Sequence, residues 1–198
     1  MTSLGSKPGS SRLRGWADGL SARDRVVAAA LVLLVIATQA WWMGRAVSFL
    51  SAGLFIAFGI WLTGRWKNDA ATVLPVYLLA VAVQCLHFTE EYLAGFYRQF
   101  PKLMGGNSWS DARFVTFNML WLAIFVLAAV GVYRRLPVAY LAVIFLALIG
   151  GVANGAGHLL LSAMYRRYFP GVFTAPLCLL AGIALAVKLF ARTRGPAG

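Results

Sequence analysis

The residues best able to do chemistry in this sequence lie inside its long apolar stretches. The only two histidines, His87 and His158, and the only two glutamates, Glu90 and Glu91, all fall within such stretches. Ionisable side chains in a bilayer are costly unless they are partnered, and they commonly mark functional sites. These four residues are therefore the candidate catalytic residues.

Helical spacing places three polar residues on one face of the apolar stretch that contains His87 and both glutamates. At about 100° per residue, Gln84, His87 and Glu91 fall within roughly 60° of one another, and Glu90 lies at the edge of that face. The remaining faces carry mostly Leu, Val, Ala and Phe, which suit lipid and neighbouring helices. The spacing predicts a helix with a single polar face.

A second polar face lies on the stretch that contains His158. Asn154, Ser162 and Tyr165 fall with it within about 80° of arc. The segment Gly151-Val-Ala-Asn-Gly155 also has the small-x-x-x-small pattern, which predicts close approach of a neighbouring helix. This stretch should therefore contribute to a site and pack tightly beside it.

The polar residues of the two stretches described above fall at similar depths. Asn118 and Thr174 lie near the corresponding ends of two further stretches, so four stretches place polar groups at about one level. This convergence predicts one intramembrane pocket. The residues expected to line or support it are Gln84, Asn118, Asn154, Ser162, Tyr165 and Thr174.

Two chemistries suit this set of residues. In the first, His87, His158 and Glu91 bind a metal as two imidazoles and a carboxylate, the ligand set of an open catalytic zinc site or of a non-haem iron site. Glu90 is then a second carboxylate ligand or a general base, and asparagines orient the ligands. In the second, no metal binds and one of the adjacent carboxyl groups stays protonated, which suits acid–base isomerisation or cyclisation.

The composition indicates the elements that must position these residues. Of 198 residues, 61% are hydrophobic and 12% are charged, and the mean hydropathy is +0.75. A bilayer span needs roughly 20 apolar residues. The sequence predicts an all-α, polytopic transmembrane bundle of about six spans. The apolar runs are Val26–Met43, Ala46–Thr63, Ala71–Phe96, Arg113–Tyr133, Val138–Tyr165 and Val172–Phe190.

These runs divide the chain into four parts. Residues 1–25 are expected to form a disordered basic cytoplasmic tail, 26–63 two N-terminal spans, 71–190 a four-span core, and 191–198 a second cytoplasmic tail. With the N-terminus inside, 12 of the 18 Lys and Arg residues lie on the cytoplasmic side. Because basic residues favour that side, both termini of this multi-pass cell-membrane protein should be cytoplasmic.

The net charge of +12 does not indicate nucleic-acid binding, because the basic residues lie in the tails and short gaps between apolar runs. There they act as membrane anchors and orientation signals. The expected partners are the lipid bilayer and a hydrophobic small-molecule or lipid substrate, and no nucleic acid.

The segment His87-Phe88-Thr89-Glu90-Glu91 resembles the defining motif of the bacterial HXXEE family of integral membrane proteins, whose function is uncharacterised. Its placement in an apolar helix, followed by Asn118 and by Asn154-x-x-x-His158, strengthens the likeness. The resemblance covers about Tyr77 to Lys188. It implies a shared site at His87, Glu90 and Glu91, and it supplies no reaction.

The function that best fits these residues is a membrane-embedded enzyme acting on a lipid or isoprenoid-like substrate. One alternative is a proton- or cation-coupled transporter that uses the cluster as a relay. Against it, the sequence shows no convincing internal repeat. The other alternative is a membrane scaffold protein in which the cluster is a buried hydrogen-bond network.

Overall fold

The computed structural model of the chain describes residues 20–66 and 69–191, and throughout these ranges the secondary structure is helical, without strands. The helices are α1 (Ala22–Met43), α2 (Ser48–Leu62), α3 (Ala70–Leu93), α4 (Phe96–Leu103), α5 (Asp111–Tyr133), α6 (Ala139–Phe145), α7 (Asn154–Tyr165) and α8 (Ala175–Phe190). A π-helical segment, Leu146–Ala153, joins α6 to α7. The expected all-α bundle is confirmed.

The lengths of the apolar helices agree with a membrane-embedded protein. Four stretches are long and apolar enough to cross a bilayer: Ala22–Leu62, Ala70–Leu93, Asp111–Tyr133 and Ala139–Tyr165. At 1.5 Å per residue, α2 with 15 residues and α8 with 16 are shorter than the hydrocarbon core.

The first stretch is a helical hairpin, because a 3-10 turn at Gly44–Val47 separates α1 from α2. Gly44 has a φ of 70°, which favours glycine. The amide of Gln39 donates to Ser51 Oγ at 2.9 Å, a contact that only antiparallel helices allow at this spacing. The two N-terminal apolar runs therefore form two separate helices.

The start of α1 differs from the expected boundary. The helix begins at Ala22, whereas the basic tail was expected to continue to residue 25. The cause is a capping box, in which Ser21 accepts from the backbone of Asp24 and Asp24 accepts from the backbone of Ser21. The rest of the two expected tails, residues 1–19 and 192–198, lies outside the described residues.

The helices alternate in direction, which gives the bundle two distinct ends. At the end that we call the site end, Trp109 donates from its indole to the carbonyl of Met43, tying the start of α5 to the α1–α2 turn. At the opposite end, Trp61 donates to the carbonyl of Pro137 at 2.8 Å. The short helix α4 lies at the site end, with Phe96 and Tyr97 buried.

The tightest helix contact joins the π-helical segment and α7 to α8. A Cβ placed on Gly151 would lie 2.6 Å from the Cα of Gly182, and one on Gly155 would lie 2.6 Å from the carbonyl oxygen of Ala175. Only hydrogen fits at these positions, so the close approach expected from the small-x-x-x-small pattern is confirmed. This contact holds the His158 helix against the start of α8.

Candidate functional site

Three ionisable side chains meet near the site end of the bundle. The Nε2 atoms of His87 and His158 lie 3.5 Å and 3.2 Å from Oε1 of Glu91. One candidate ligand atom from each residue can be chosen so that all lie within 4.8 Å of one another. The exposed fractions of the three residues are 0%, 3% and 4%. The structure therefore brings the three sequence-predicted metal ligands together in a buried cluster.

Helix geometry explains this meeting. His87 and Glu91 lie one turn apart on α3, so their side chains share a face. His158 comes from α7, and its ring stands perpendicular to that of His87, with ring centroids 4.7 Å apart. At 1.5 Å per residue, His87 and His158 both lie about 10 Å from the end of their helices. The cluster thus belongs to the half of the bundle nearer the site end.

The hydrogen bonds at the Nδ1 atoms determine the tautomers of both histidines. His158 Nδ1 lies 2.6 Å from the carbonyl oxygen of Pro170, which can only accept, so Nδ1 carries a proton. His87 Nδ1 lies 2.8 Å from the hydroxyl of Thr174. That hydroxyl donates its single proton to Glu90 at 2.6 Å, so it must accept from His87. Both imidazoles therefore direct their Nε2 atoms at Glu91.

Neutral imidazoles in these tautomers have lone pairs at Nε2, and the Glu91 carboxylate has only acceptors. The amide of Asn154, 2.8 Å away, satisfies the lone pair of His87. The contact between His158 Nε2 and Glu91 still joins two acceptors, so it needs a positive charge. Either a proton or a metal ion can supply that charge.

Glu90 does not join this cluster. Its carboxylate accepts from the backbone amides of Phe173 and Thr174 at 3.0 and 2.8 Å, and from the hydroxyls of Thr174 and Tyr168. Both amides lie in the turn immediately before α8, where a carboxylate interacts favourably with the helix dipole. Glu90 is therefore linked to His87 through Thr174, whereas the sequence suggested it as a second carboxylate ligand or general base within the cluster.

The loop between α7 and α8 supplies groups that sequence reasoning missed. Pro170 provides the carbonyl that fixes His158. Gly171, with a φ of 95°, packs against both rings, and a Cβ there would lie 2.6 Å from His158 and 2.9 Å from His87. Burial and the hydrogen bond to Glu90 raise the pKa of Tyr168 to about 12, so its hydroxyl remains a donor at neutral pH. The Pro-Gly pair signalled a turn in the sequence, but nothing placed that turn over the histidines.

Two of the predicted pocket residues lie away from the cluster. The hydroxyl of Ser162 donates to the carbonyl of Arg167 at 2.6 Å, where it secures the end of α7. Tyr165 is 43% exposed and lies beneath the guanidinium of Arg167. Their place on the His158 face is correct, but they lie one and two turns nearer the end of α7. They act at the end of the helix and not in the site.

Two cavities flank the cluster. The deep cavity, of about 70 Å³, includes Gln84, Glu91 and Asn118 among aromatic walls. The lateral cavity, of about 250 Å³, includes His158 and Leu161. The two share four lining residues, Phe49, Phe96, Phe100 and Asn154. An apolar molecule in either cavity would therefore lie beside the His–Glu cluster.

Comparison with known proteins gives a family and no activity. The sequence profile of a family described as "Protein of unknown function with HXXEE motif" matches residues 78–186, more than half of the chain. No curated protein and no solved structure shows significant similarity to it. The matched range contains every residue of the His–Glu cluster and both asparagines beside it. The chain belongs to the HXXEE-motif family, whose function is unknown.

Proposed function

We propose that this protein is a membrane-embedded, metal-dependent enzyme that acts on a lipid or isoprenoid-like substrate. His87, His158 and Glu91 would hold one divalent ion, zinc or non-haem iron. The observation that carries the proposal is that the Nδ1 atoms of His87 and His158 both donate to other groups. Their Nε2 atoms are therefore left facing the same oxygen of Glu91.

The arrangement around each imidazole supports a metal site. Metal-binding histidines almost always donate their other ring N–H to a carboxylate, a carbonyl or water. Here the carbonyl of Pro170 accepts from His158, and Thr174 relays His87 to the carboxylate of Glu90. Such partners fix the ring orientation and raise the basicity of the ligand.

The two distances from the imidazole nitrogens to the Glu91 carboxylate also fit. Zinc bonds to nitrogen and oxygen are about 2.0–2.1 Å, so two ligands in a tetrahedral site lie about 3.3 Å apart. The Nε2 atoms lie 3.2 and 3.5 Å from Glu91 Oε1. Binding would require the Asn154 amide to leave His87 Nε2, where it now lies at 2.8 Å. Asn154 also lines both cavities, so it would remain beside a bound substrate.

Three protein ligands leave a coordination position for substrate or water, which is the pattern of catalytic metal sites. A metal held there would polarise a substrate oxygen or activate water. The chain's own residues would bind the apolar part of the substrate and exclude bulk water. The apolar walls of both cavities suit a substrate that arrives from the bilayer.

A metal-free acid–base enzyme is the second candidate, and one contact favours it. Because Asn154 already satisfies the lone pair of His87, Glu91 and His158 remain as a pair 3.2 Å apart that could share a proton. Such a pair can protonate an alkene and remove a proton elsewhere, as isomerisation requires. Metal content distinguishes the two candidates.

We also propose that both termini lie in the cytoplasm and that the protein resides in the cell membrane. The support is the distribution of basic residues, 12 of 18 of which would then be cytoplasmic. The site end of the bundle would face outward. The His–Glu cluster would then lie in the outer half of the bilayer.

Elemental analysis of detergent-purified protein tests the metal. We expect about one equivalent of zinc or iron in the parent, and almost none in a His87→Ala His158→Ala variant. Ser162→Ala is the matched control, because Ser162 lies on the His158 face but outside the cluster. A parent that stays metal-free after incubation with both metals would refute the metal enzyme and favour acid–base chemistry.

A further inference from the structure

Asn118 carries a buried hydrogen-bond donor that no described residue satisfies. The residue is 4% exposed, and its Nδ2 atom has no acceptor within the described part of the chain. Buried polar groups are rarely left unpaired, and each exception calls for an explanation. Asn118 lines the deep cavity together with Glu91, so the residue lies beside the space next to the His–Glu cluster.

Gln84, Glu91 and Asn154 also line this cavity and carry side-chain oxygens, yet Asn118 Nδ2 bonds to no group in the described part of the chain. The other nearby lining residues on the same and adjacent helices include Trp121, Phe125 and Phe145, whose side chains carry no acceptor oxygen. An ionised ligand group would be costly to bury among them, whereas a neutral oxygen needs only one donor. The amide is therefore suited to a neutral acceptor oxygen on an otherwise apolar molecule.

We propose that Asn118 binds the hydroxyl or carbonyl oxygen of the substrate, which is an alcohol or aldehyde with an isoprenoid or fatty chain. This inference rests on the proposed function, since it assigns a substrate class to the same site. Asn118 is a specificity-determining residue here and takes no part in holding the metal.

The cavity sizes support a molecule with a slim polar end. The deep cavity, at about 70 Å³, is smaller than the roughly 150 Å³ that accommodates a benzene ring. The lateral cavity, at about 250 Å³, has room for a bulkier apolar group. Phe49 and Met104 in its lining are 40% and 44% exposed, so it reaches the outer surface of the bundle. The oxygen would enter first, and the chain would trail toward the lipid.

Paired probes that differ only in the oxygen test this proposal. Labelled farnesol and farnesene, and hexadecanol and hexadecane, are compared for binding to protein in nanodiscs, with empty nanodiscs correcting for partition into lipid. We expect the parent to prefer each alcohol over its hydrocarbon by about tenfold in Kd, the value of one satisfied hydrogen bond. Asn118→Leu, nearly the same shape, should bind each pair equally.

Gln39→Leu is the matched control. Gln39 is also a buried amide with an unpartnered atom, but it lines neither cavity, so its variant should keep the preference for alcohols. Asn118→Ala repeats the test if the leucine variant fails to fold. No preference in the parent for either alcohol, or a preference that survives the loss of the amide, overturns the proposal.

The metal content of the same samples separates this failure from failure of the proposed function. Metal in the parent and in Asn118→Leu without any preference for alcohols would refute the substrate class alone. A preference that depends on Asn118 in a protein that binds no metal would refute the metal enzyme alone.

Discussion

Replacing Glu91 by glutamine changes the charge of the cluster while almost preserving its shape. Glu91 Oε1 lies 3.2 Å from His158 Nε2, and both side chains are buried. If the metal-free cluster is neutral at His158, the new amide can donate to that nitrogen. It then contributes about 1 kcal/mol, comparable to an ordinary buried hydrogen bond. For a chain of this size, 1 kcal/mol corresponds to about 2–4 °C in Tm.

We therefore expect metal-free Glu91→Gln to unfold at the parent temperature or a few degrees above it. A different result follows if Glu91 is a structural partner of a permanently charged His158. Removing one member of a buried ion pair costs about 3–5 kcal/mol, because the other charge is left unpaired. The Tm would then fall by on the order of 10 °C. The two accounts thus predict opposite changes in one experiment.

The assay is thermal unfolding in detergent, with and without a chelator. A metal at a hundredfold excess over its Kd stabilises the folded state by about 2.7 kcal/mol, so the parent should gain about 5–10 °C on metal addition. Glu91→Gln should gain little. Glu90→Gln is the control, since Glu90 accepts hydrogen bonds from the turn before α8 and its variant should lose stability in both conditions. A large fall in the Tm of metal-free Glu91→Gln would refute a catalytic or metal-binding role for Glu91 and favour a structural network.

Three further predictions follow from the surrounding geometry. Thr174→Val removes the hydroxyl that links His87 to Glu90, so we expect metal affinity, measured by competition with a chelating dye, to fall about 10–100-fold while the fold is retained. Gly171→Ala places a Cβ 2.6 Å from the His158 ring at a φ of 95°, so the variant should lose stability and metal together. Asn107→Cys, in the loop before α5, should react with an impermeant thiol reagent in intact cells, and labelling only after permeabilisation would contradict the proposed orientation.

Helical periodicity was enough to find the cluster. The i, i+4 spacing of His87 and Glu91, and the shared depth of His158, predicted the meeting that the structure shows. The glycine pattern on the π-helical segment and α7 predicted the tight contact with α8. These features depend on the geometry of single helices and on lipid as the surrounding solvent, both of which the sequence specifies directly.

Periodicity could not assign the roles of the two glutamates. Adjacent residues on a helix differ by about 100°, so only the position of α8 decides which carboxylate meets the turn that precedes it. That position depends on the loop before α8, where Pro170 and Gly171 adopt a conformation with no repeating pattern. Periodicity also suggested Ser162 as a pocket residue, because it shares the face of His158. The structure places Ser162 nearer the end of α7, where it donates to the carbonyl of Arg167.

The π-helical segment is a further feature without a sequence signal. It spans Leu146–Ala153 and ends immediately before Asn154. Such segments widen the helix and change the direction of the residues that follow, and they are frequent at functional sites. Within it, Gly151 packs closely against Gly182 of α8.

X-ray absorption spectroscopy of the metal-loaded protein tests the central claim most directly, because it reports the ligands themselves. We expect a single metal environment with two imidazole nitrogens at about 2.0–2.1 Å and oxygen ligands at similar distances. His87→Ala should remove one imidazole from that environment. A metal surrounded by oxygen alone, or an imidazole signal unchanged in His87→Ala, would contradict a site built from His87, His158 and Glu91.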